Sequence, residues 1–210
     1  MMKSTITCTE TLETIFTQND LHPVLHELLR RITYQERVET DLLTSLRAKN
    51  SYPEWVAGLA AIDPIAELID EKAVPLSTLL ENKTQALKDL KEIHLDLHSN
   101  AMLAYDQVSN TPAGRPIVAV IVFIDFGKEG ITKLRIAATG VSKTPYFYAD
   151  FSKEMEGKQL SRNMVAGIGE KFLKMITPAD TYMGSAAYRK EMAGVLVERI
   201  LSNKVNGEIG

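Results

Sequence analysis

Apolar residues in the first half of the chain recur at helical spacing. Between Leu21 and Thr33 they occupy every third or fourth position, which predicts a helix with one buried face. Asp20 is the expected N-cap of this helix, and Pro23 suits its first turn. The apolar positions are Leu21, Val24, Leu25, Leu28, Leu29 and Ile32.

Two later segments of this half suggest strands. Val74 and Pro75 indicate a strand end that leads into a helix capped by Ser77. Apolar and polar residues alternate over Glu92–Leu97, which predicts a half-buried strand. The first half is therefore expected to be mostly helical, with some mixed structure.

The pattern changes in the second half. Three predicted strands are followed by two predicted helices, which begin after the capping residues Ser161 and Ser185. This order indicates an α+β domain in which helices cover one face of an antiparallel three-stranded sheet. The strands are Ile117–Asp125, Ile131–Thr139 and Thr144–Ala149, and the helices are 162–176 and 186–201. The expected apolar face of the last helix consists of Tyr188, Met192, Val195, Leu196 and Ile200.

The composition narrows the choice of protein class. A chain of 210 residues with 45% apolar and 24% charged residues suggests a soluble protein of one domain or two small ones. A net charge of −3 provides no basic surface for nucleic acid. The longest apolar run, Ile117–Ile124, is too short to span a bilayer, and the N-terminus lacks the pattern of a signal peptide. We therefore expect a cytoplasmic protein.

Possible metal ligands and nucleophiles are sparse in the sequence. His22 and His26 have the spacing of metal ligands on a helix, but no nearby residue completes a site, so they are predicted to be surface or interface histidines. His94 and His98 fall on a strand and the loop after it. Cys8 is the only cysteine, which excludes an internal disulfide, and no partner pattern marks it as a nucleophile. We predict no metal site and no catalytic residue.

The motifs of the second half resemble a known family. Arg135-Ile136-Ala137 leads to Gly140-Val141 and Thr144-Pro145, and Met155-Glu156-Gly157-Lys158 follows. These motifs resemble the C-terminal domain of the flavoprotein (FAD-binding, medium) subunit of the carbon monoxide dehydrogenase and xanthine dehydrogenase family. Two positions depart from the family pattern, since Thr139 replaces a glycine and Met183 replaces an arginine. The last matching block consists of Pro178, Asp180, Gly184, Ser185, Tyr188 and Arg189.

The first half is similar to a degenerate form of the second FAD subdomain of that family. Pro23–Ile32 can represent the subdomain's helix, and Val74-Pro75-Leu76 represents a later motif. In the phosphate-binding loop, Arg37 and Thr40 match, but Leu42 and Leu43 replace the glycines. The family's first FAD subdomain has no counterpart here. The resemblance implies a degenerate FAD subdomain over residues 1–108 and the C-terminal domain over residues 109–210, joined by a linker at Ser109–Pro116.

The missing glycines determine what function the resemblance implies. Backbone N–H groups hold a pyrophosphate, and glycine allows the close approach that this requires. We therefore expect no tightly bound FAD and an accessory, assembly or scaffold role, as a homo-oligomer or beside molybdopterin and iron–sulfur subunits. The alternative is an FAD-dependent electron-transfer subunit that a partner chain completes. The candidate flavin contacts are Arg37, Thr40, Tyr146, Tyr148 and Arg189.

Arg189, Tyr146 and Tyr148 also have a purely structural interpretation. Arg189 could hold the Asp180 loop, and its neighbour Tyr188 could pack the last helix on the sheet. Tyr146 and Tyr148 flank Phe147, and such a cluster could form strand core on one face and an interface on the other.

Overall fold

Contacts along the chain divide the molecule into two units. A computed structural model describes residues 1–32, 34–48, 51–81, 86–111 and 115–206. The N-terminal unit comprises Met1–Met102, and the C-terminal unit comprises Leu103–Gly210. Both units combine antiparallel strands with helices, which confirms the predicted α+β class.

The N-terminal unit contains a four-stranded sheet with the strand order β1-β4-β2-β3. Helices fill the connection between β1 and β2, and their apolar faces supply most of the buried residues of this unit. In chain order the elements are β1 (Met2–Thr7), α1 (Leu12–Phe16), α2 (Pro23–Leu29), α3 (Tyr34–Glu39), α4 (Leu42–Arg47), α5 (Pro53–Ile62), β2 (Ile65–Leu68), β3 (Ala73–Pro75), α6 (Leu76–Glu81), a 3-10 turn (Ala86–Asp89) and β4 (Leu90–Leu97).

Strand β1 was not predicted from the sequence. It pairs antiparallel with β4, so that Met2 lies opposite Leu97 and Thr7 lies opposite Glu92. Only Ser4 and Ile6 of this strand are buried. Because Ile6 is the single buried apolar residue, the strand lacks the alternation of apolar and polar residues that would distinguish it from a loop. The sheet of this unit is therefore larger than the sequence pattern suggested.

Two predicted helix caps were wrong. Helix α2 begins at Pro23, and His22 caps it by accepting a hydrogen bond from the N–H of Val24 at its Nδ1 atom (3.2 Å). Helix α6 begins immediately after β3, and its Ser77 N–H donates to the Asp63 carboxylate (2.9 Å). His22 and Asp63 therefore act in place of Asp20 and Ser77, because tertiary structure brings other acceptors to the exposed N–H groups.

The C-terminal unit contains a second four-stranded antiparallel sheet, with the order β5-β6-β7-β8. The three predicted strands are present, and β5 adds a fourth strand at one edge. Strand β6 is buried along nearly all of its length, as its continuous apolar run predicted. The elements are β5 (Met102–Ser109), β6 (Pro116–Phe126), β7 (Ile131–Thr139), β8 (Tyr146–Asp150), α7 (Ser152–Met155), α8 (Arg162–Met175) and α9 (Ala186–Asn206).

Helices α8 and α9 occupy the predicted ranges, but the buried face of α9 differs from the prediction. Tyr188 and Val195 are 38% and 45% exposed, so Tyr188 does not pack this helix on the sheet as one interpretation required. The observed buried face is rotated around the helix relative to the predicted one, and it includes the charged residue Arg189. Its members are Arg189, Ala193, Leu196, Val197, Ile200 and Leu201. Among the described residues, no helix combines the length and apolar character needed to cross a membrane.

Candidate functional site

Arg189 is the most heavily bonded of the five candidate residues. Its side chain is 6% exposed, and its Nη1 atom donates to the carbonyl oxygens of Ile117 and Gly140, at 3.0 Å each. Its Nε atom donates to the carbonyl of Gly184 (3.2 Å), and Nη2 donates to the hydroxyl of Thr181. The guanidinium thereby connects the start of β6, the turn after β7 and the loop before α9, which agrees with a structural role.

Gly140 explains why one glycine of the family's pair is retained. Its φ is +76°, and a Cβ atom placed there would lie 2.1 Å from the carbonyl oxygen of Ile117. Only glycine tolerates both the dihedral angle and the contact. Thr139, which replaces the other glycine, is the last residue of β7 and pairs with Tyr146 in regular strand geometry.

The start of α9 is capped as the sequence predicted. The hydroxyl of Ser185 accepts a hydrogen bond from the N–H of Tyr188 (3.2 Å). The carboxylate of Asp180 accepts one from the N–H of Ala186 (2.6 Å). Both oxygens satisfy N–H groups that lack partners within the helix, and a negative charge is favourable at this helix end. The Pro178–Arg189 block therefore forms a braced helix start.

The aromatic cluster of β8 is divided between the two faces of its sheet. The ring of Phe147 packs edge-to-face on Phe172 of α8, with ring centroids 5.9 Å apart. Tyr146 and Tyr148 point to the opposite face and are half-buried, and the Tyr148 hydroxyl donates to Asp150 (3.3 Å). The faces match the alternation expected of a strand. A flavin contact by either tyrosine stays a prediction.

In the N-terminal unit, Arg37 is engaged by its own neighbours. Its Nε atom donates to the carboxylate of Glu13 (2.6 Å), and its Nη1 atom donates to the carbonyl of Ile32 (2.6 Å). The guanidinium also stacks over the ring of Phe16, 4.3 Å from the centroid. These contacts join α1 to the residues that follow α2 and engage the Nε and Nη1 atoms of Arg37 within the fold.

Thr40 is likewise part of the local packing. It is buried, its hydroxyl lies 3.0 Å from the Tyr52 hydroxyl, and its carbonyl accepts from the N–H of Leu12 (2.9 Å). The assignment of Arg37 and Thr40 as cofactor contacts stays a prediction. Their contacts show how each residue stabilises the helices around it.

Leu42 and Leu43, which the resemblance matches to the phosphate-binding glycines of the family, belong to the short helix α4. Leu42, its first residue, is fully buried. The N–H groups of Leu42 and Leu43 donate to the carbonyls of Glu10 (3.0 Å) and Cys8 (3.1 Å). The Asp41 carboxylate accepts from the N–H of Thr44 (2.7 Å). The donors at this helix start are therefore used within the protein, and the nearest side chain is an anion.

Electrostatics around Cys8 agree with this description of α4. Burial raises the pKa of the Cys8 thiol above its ordinary value, and the negative charge of Asp41 raises it further. A thiol in such surroundings is a poor nucleophile, because the thiolate is the reactive form. No step of a reaction is assigned to Cys8.

The four histidines do not form the pairs that their spacing suggested. The predicted surface or interface position of His22 is wrong: this residue is buried, and its Nε2 atom lies 3.1 Å from the carbonyl of His98. The ring of His26 packs against Phe16. His94 lies close to Glu92 on its own strand and to Glu67 on the neighbouring strand β2. The sequence could not reveal this last cluster, because Glu67 lies far from His94 along the chain.

Comparison with known proteins finds a similar domain for the C-terminal unit. Residues 104–203 match the family model described as the CO dehydrogenase flavoprotein C-terminal domain. This region is therefore similar to the domain that the model describes. The predicted resemblance is thereby confirmed, and it rests on the part of the chain that contains Arg189, Gly140 and the braced start of α9.

A curated relative and solved structures agree with this similarity. The glyceraldehyde dehydrogenase medium chain of Sulfolobus acidocaldarius is 27% identical over 92 residues, which are 44% of this chain and 33% of the relative. The match thus spans only about a third of that relative's length. A carbon monoxide dehydrogenase structure from Hydrogenophaga pseudoflava has a TM-score of 0.74 at 18% identity, with 95% of this chain and 74% of that chain covered. For quinoline 2-oxidoreductase from Pseudomonas putida 86 the TM-score is 0.75 at 14% identity, with 100% and 77% covered. At these identities the structures establish the fold.

Proposed function

We propose that this protein is a homologue of the flavoprotein subunit that binds FAD weakly or not at all and acts as an accessory, assembly or scaffold component. The hydrogen bonding at the start of α4 supports this proposal most directly. The N–H groups of Leu42, Leu43 and Thr44 all donate to protein oxygens. A pyrophosphate at this position would have to displace those acceptors and would meet the Asp41 carboxylate.

The energetic argument follows from the cost of desolvating phosphate. An anion that leaves water without new hydrogen bonds loses several kcal/mol, so the rings of FAD would have to supply all of the affinity. Immobilising the ligand costs further free energy. We therefore expect a dissociation constant of roughly micromolar or weaker.

The contacts of Arg37 support the same expectation. Arginine is the usual side chain for phosphate recognition, but here its Nε and Nη1 atoms already bind Glu13 and the Ile32 carbonyl. Moving Arg37 onto a ligand would leave the Glu13 carboxylate without this partner in a half-buried position. The hydrogen bonds of Arg37 within the fold therefore disfavour its use as a phosphate contact.

A second candidate function is FAD-dependent electron transfer in a complex whose other chains complete the cofactor site. The observation that favours it is the extent of the structural likeness, which covers 95% of this chain. In either case we propose a cytoplasmic protein that forms a homo-oligomer or assembles with molybdopterin and iron–sulfur subunits.

Fluorescence titration tests the first proposal on the isolated protein. FAD is held at nanomolar concentration and the protein is added, with riboflavin, which lacks the pyrophosphate, as the matched control ligand. We expect no saturable change below about 1 μM and no preference for FAD over riboflavin. Saturable quenching of FAD at nanomolar protein concentration would contradict the proposal.

Co-expression addresses the alternative. The chain is produced together with the molybdopterin and iron–sulfur subunits of a carbon monoxide dehydrogenase-type enzyme, and the purified complex is assayed for flavin. A complex without stoichiometric FAD supports the accessory role. One FAD per copy of this chain, absent from the isolated protein, would establish the electron-transfer alternative.

A further inference from the structure

Three potential metal ligands lie together on the N-terminal sheet. Glu67 of β2 and Glu92 of β4 are directly opposite each other in the strand register. His94 lies two residues after Glu92, so both side chains share one face of β4. All three side chains are partly exposed, which leaves this cluster accessible from water.

The ligand atoms are close enough to share one ion. The Nε2 atom of His94 lies 3.1 Å from a carboxylate oxygen of Glu67 and 3.4 Å from one of Glu92. One ligand atom from each residue can be chosen so that all three lie within 4.8 Å of one another. Two carboxylates at opposed positions repel each other, so this arrangement favours a positive charge between them.

Thr5 orients the imidazole for metal binding. It lies opposite His94 on the neighbouring strand β1, and its hydroxyl is 3.1 Å from the Nδ1 atom. When the Nδ1–H group donates to this hydroxyl, the lone pair of Nε2 faces the two carboxylates. A hydrogen bond from the other ring nitrogen fixes the tautomer of most metal-binding histidines.

We propose that Glu67, Glu92 and His94 bind a divalent cation, with Zn²⁺ as the preferred ion and water as the remaining ligand. An imidazole with two carboxylates suits Zn²⁺ better than Ca²⁺ or Mg²⁺, which select oxygen ligands. The proposal is independent of flavin binding, because all the ligands come from the N-terminal sheet.

The ammonium of Lys91 contacts both carboxylates of the cluster. Its ammonium lies 2.6 Å from a carboxylate oxygen of Glu67 and 3.6 Å from one of Glu92. Hydrogen bonds from Lys91 and then His94 lower the pKa of Glu67 below its ordinary value. Zn²⁺ must displace this ammonium, and Lys91 therefore acts as a competitor for the site.

Calorimetric titration of the full chain with Zn²⁺ at pH 7.5 tests the proposal. We expect one Zn²⁺ per chain, with Mn²⁺ and Ca²⁺ bound more weakly. His94→Gln and Glu92→Gln should each weaken Zn²⁺ binding by more than about tenfold, and Thr5→Val should weaken it by about tenfold.

Lys91→Met separates a metal site from an ordinary ion-pair cluster. Removing the competing ammonium should tighten Zn²⁺ binding, whereas a cluster that only pairs Lys91 with glutamates gains no metal affinity. Asp96→Asn is the matched control, since Asp96 lies on the same strand two residues after His94 and should leave the affinity unchanged. Circular dichroism verifies that each variant retains the wild-type fold.

Several results would overturn the proposal. The first is the absence of Zn²⁺ binding by the wild-type protein at millimolar concentration. The second is an unchanged Zn²⁺ affinity in His94→Gln, which would place the ion at another histidine. The third is a Lys91→Met variant that binds Zn²⁺ no more tightly than the wild-type protein.

Discussion

Replacing Arg189 by methionine should strongly destabilise the C-terminal unit. Methionine keeps much of the length and apolar contact of the arginine stem but removes every donor. Four hydrogen bonds disappear, from the carbonyls of Ile117, Gly140 and Gly184 and from the Thr181 hydroxyl.

The size of the destabilisation depends on whether water can replace arginine as the donor to each acceptor. The bond to Ile117 is buried, and an unsatisfied buried carbonyl costs about 1–3 kcal/mol. Water can reach the partly buried carbonyls of Gly140 and Gly184, so each should cost less, about 0.5–1.5 kcal/mol. We expect a total loss of about 3–5 kcal/mol, a large fraction of the stability of an ordinary domain.

Urea unfolding followed by far-UV circular dichroism measures this loss. Amide hydrogen exchange of peptides that cover 115–124 and 178–189 locates it. Lys190→Met is the matched control: Lys190 is the exposed neighbour on the same helix, and its replacement should change the free energy of unfolding by no more than about 0.5 kcal/mol.

Arg189→Lys adds a test of geometry. Lysine keeps the charge but lacks the planar fork that reaches several acceptors at once, so it should recover only part of the stability. A loss below about 1 kcal/mol in Arg189→Met, or unchanged exchange in both peptides, would refute the bracing role of this residue.

Two further predictions concern the same unit. Ser185→Ala removes the acceptor for the N–H of Tyr188 and should cost about 1 kcal/mol in a denaturant melt, and a cost indistinguishable from zero would argue against this cap. Burial raises the pKa of Asp150, but hydrogen bonds from Ser152 and the charge and hydrogen bond of Arg135 outweigh this effect and hold the pKa below its ordinary value of 3.8. Stability that depends on ionised Asp150 is therefore fully present above this ordinary value and is lost as the pH falls below it through the lowered pKa of the folded protein. Asp150→Asn should reduce the acid dependence of the melting temperature, and an unchanged dependence would contradict the assignment.

Local patterns were sufficient to predict much of the C-terminal unit. The apolar run of β6 and the alternation of β7 identified both strands, because the spacing of apolar residues along a strand follows from which of its faces are buried. Ser161 and Ser185 identified the starts of α8 and α9, because a serine cap bonds an N–H three residues further along the chain. The motifs that carry the family resemblance lie in these same segments.

Sequence reasoning failed where the partner of a residue is distant. His22 caps α2 and also contacts the carbonyl of His98, whereas Asp20 has the side chain that more commonly caps a helix. The buried face of α9 was misplaced because only apolar residues were assigned to it, whereas the charged Arg189 is buried there. Neither error could be corrected without knowing which carbonyl groups the fold presents to each side chain.

The sequence alone thus determined the α+β class and the main elements of the C-terminal unit. Only the tertiary structure decided that Arg189 braces three segments and that Glu67 faces Glu92 and His94. The physical reason is that caps and amphipathic faces arise from neighbours within a few residues. A buried hydrogen-bond network or a cluster of ligands depends on strand register and chain crossings, which bring together residues that are far apart in the sequence.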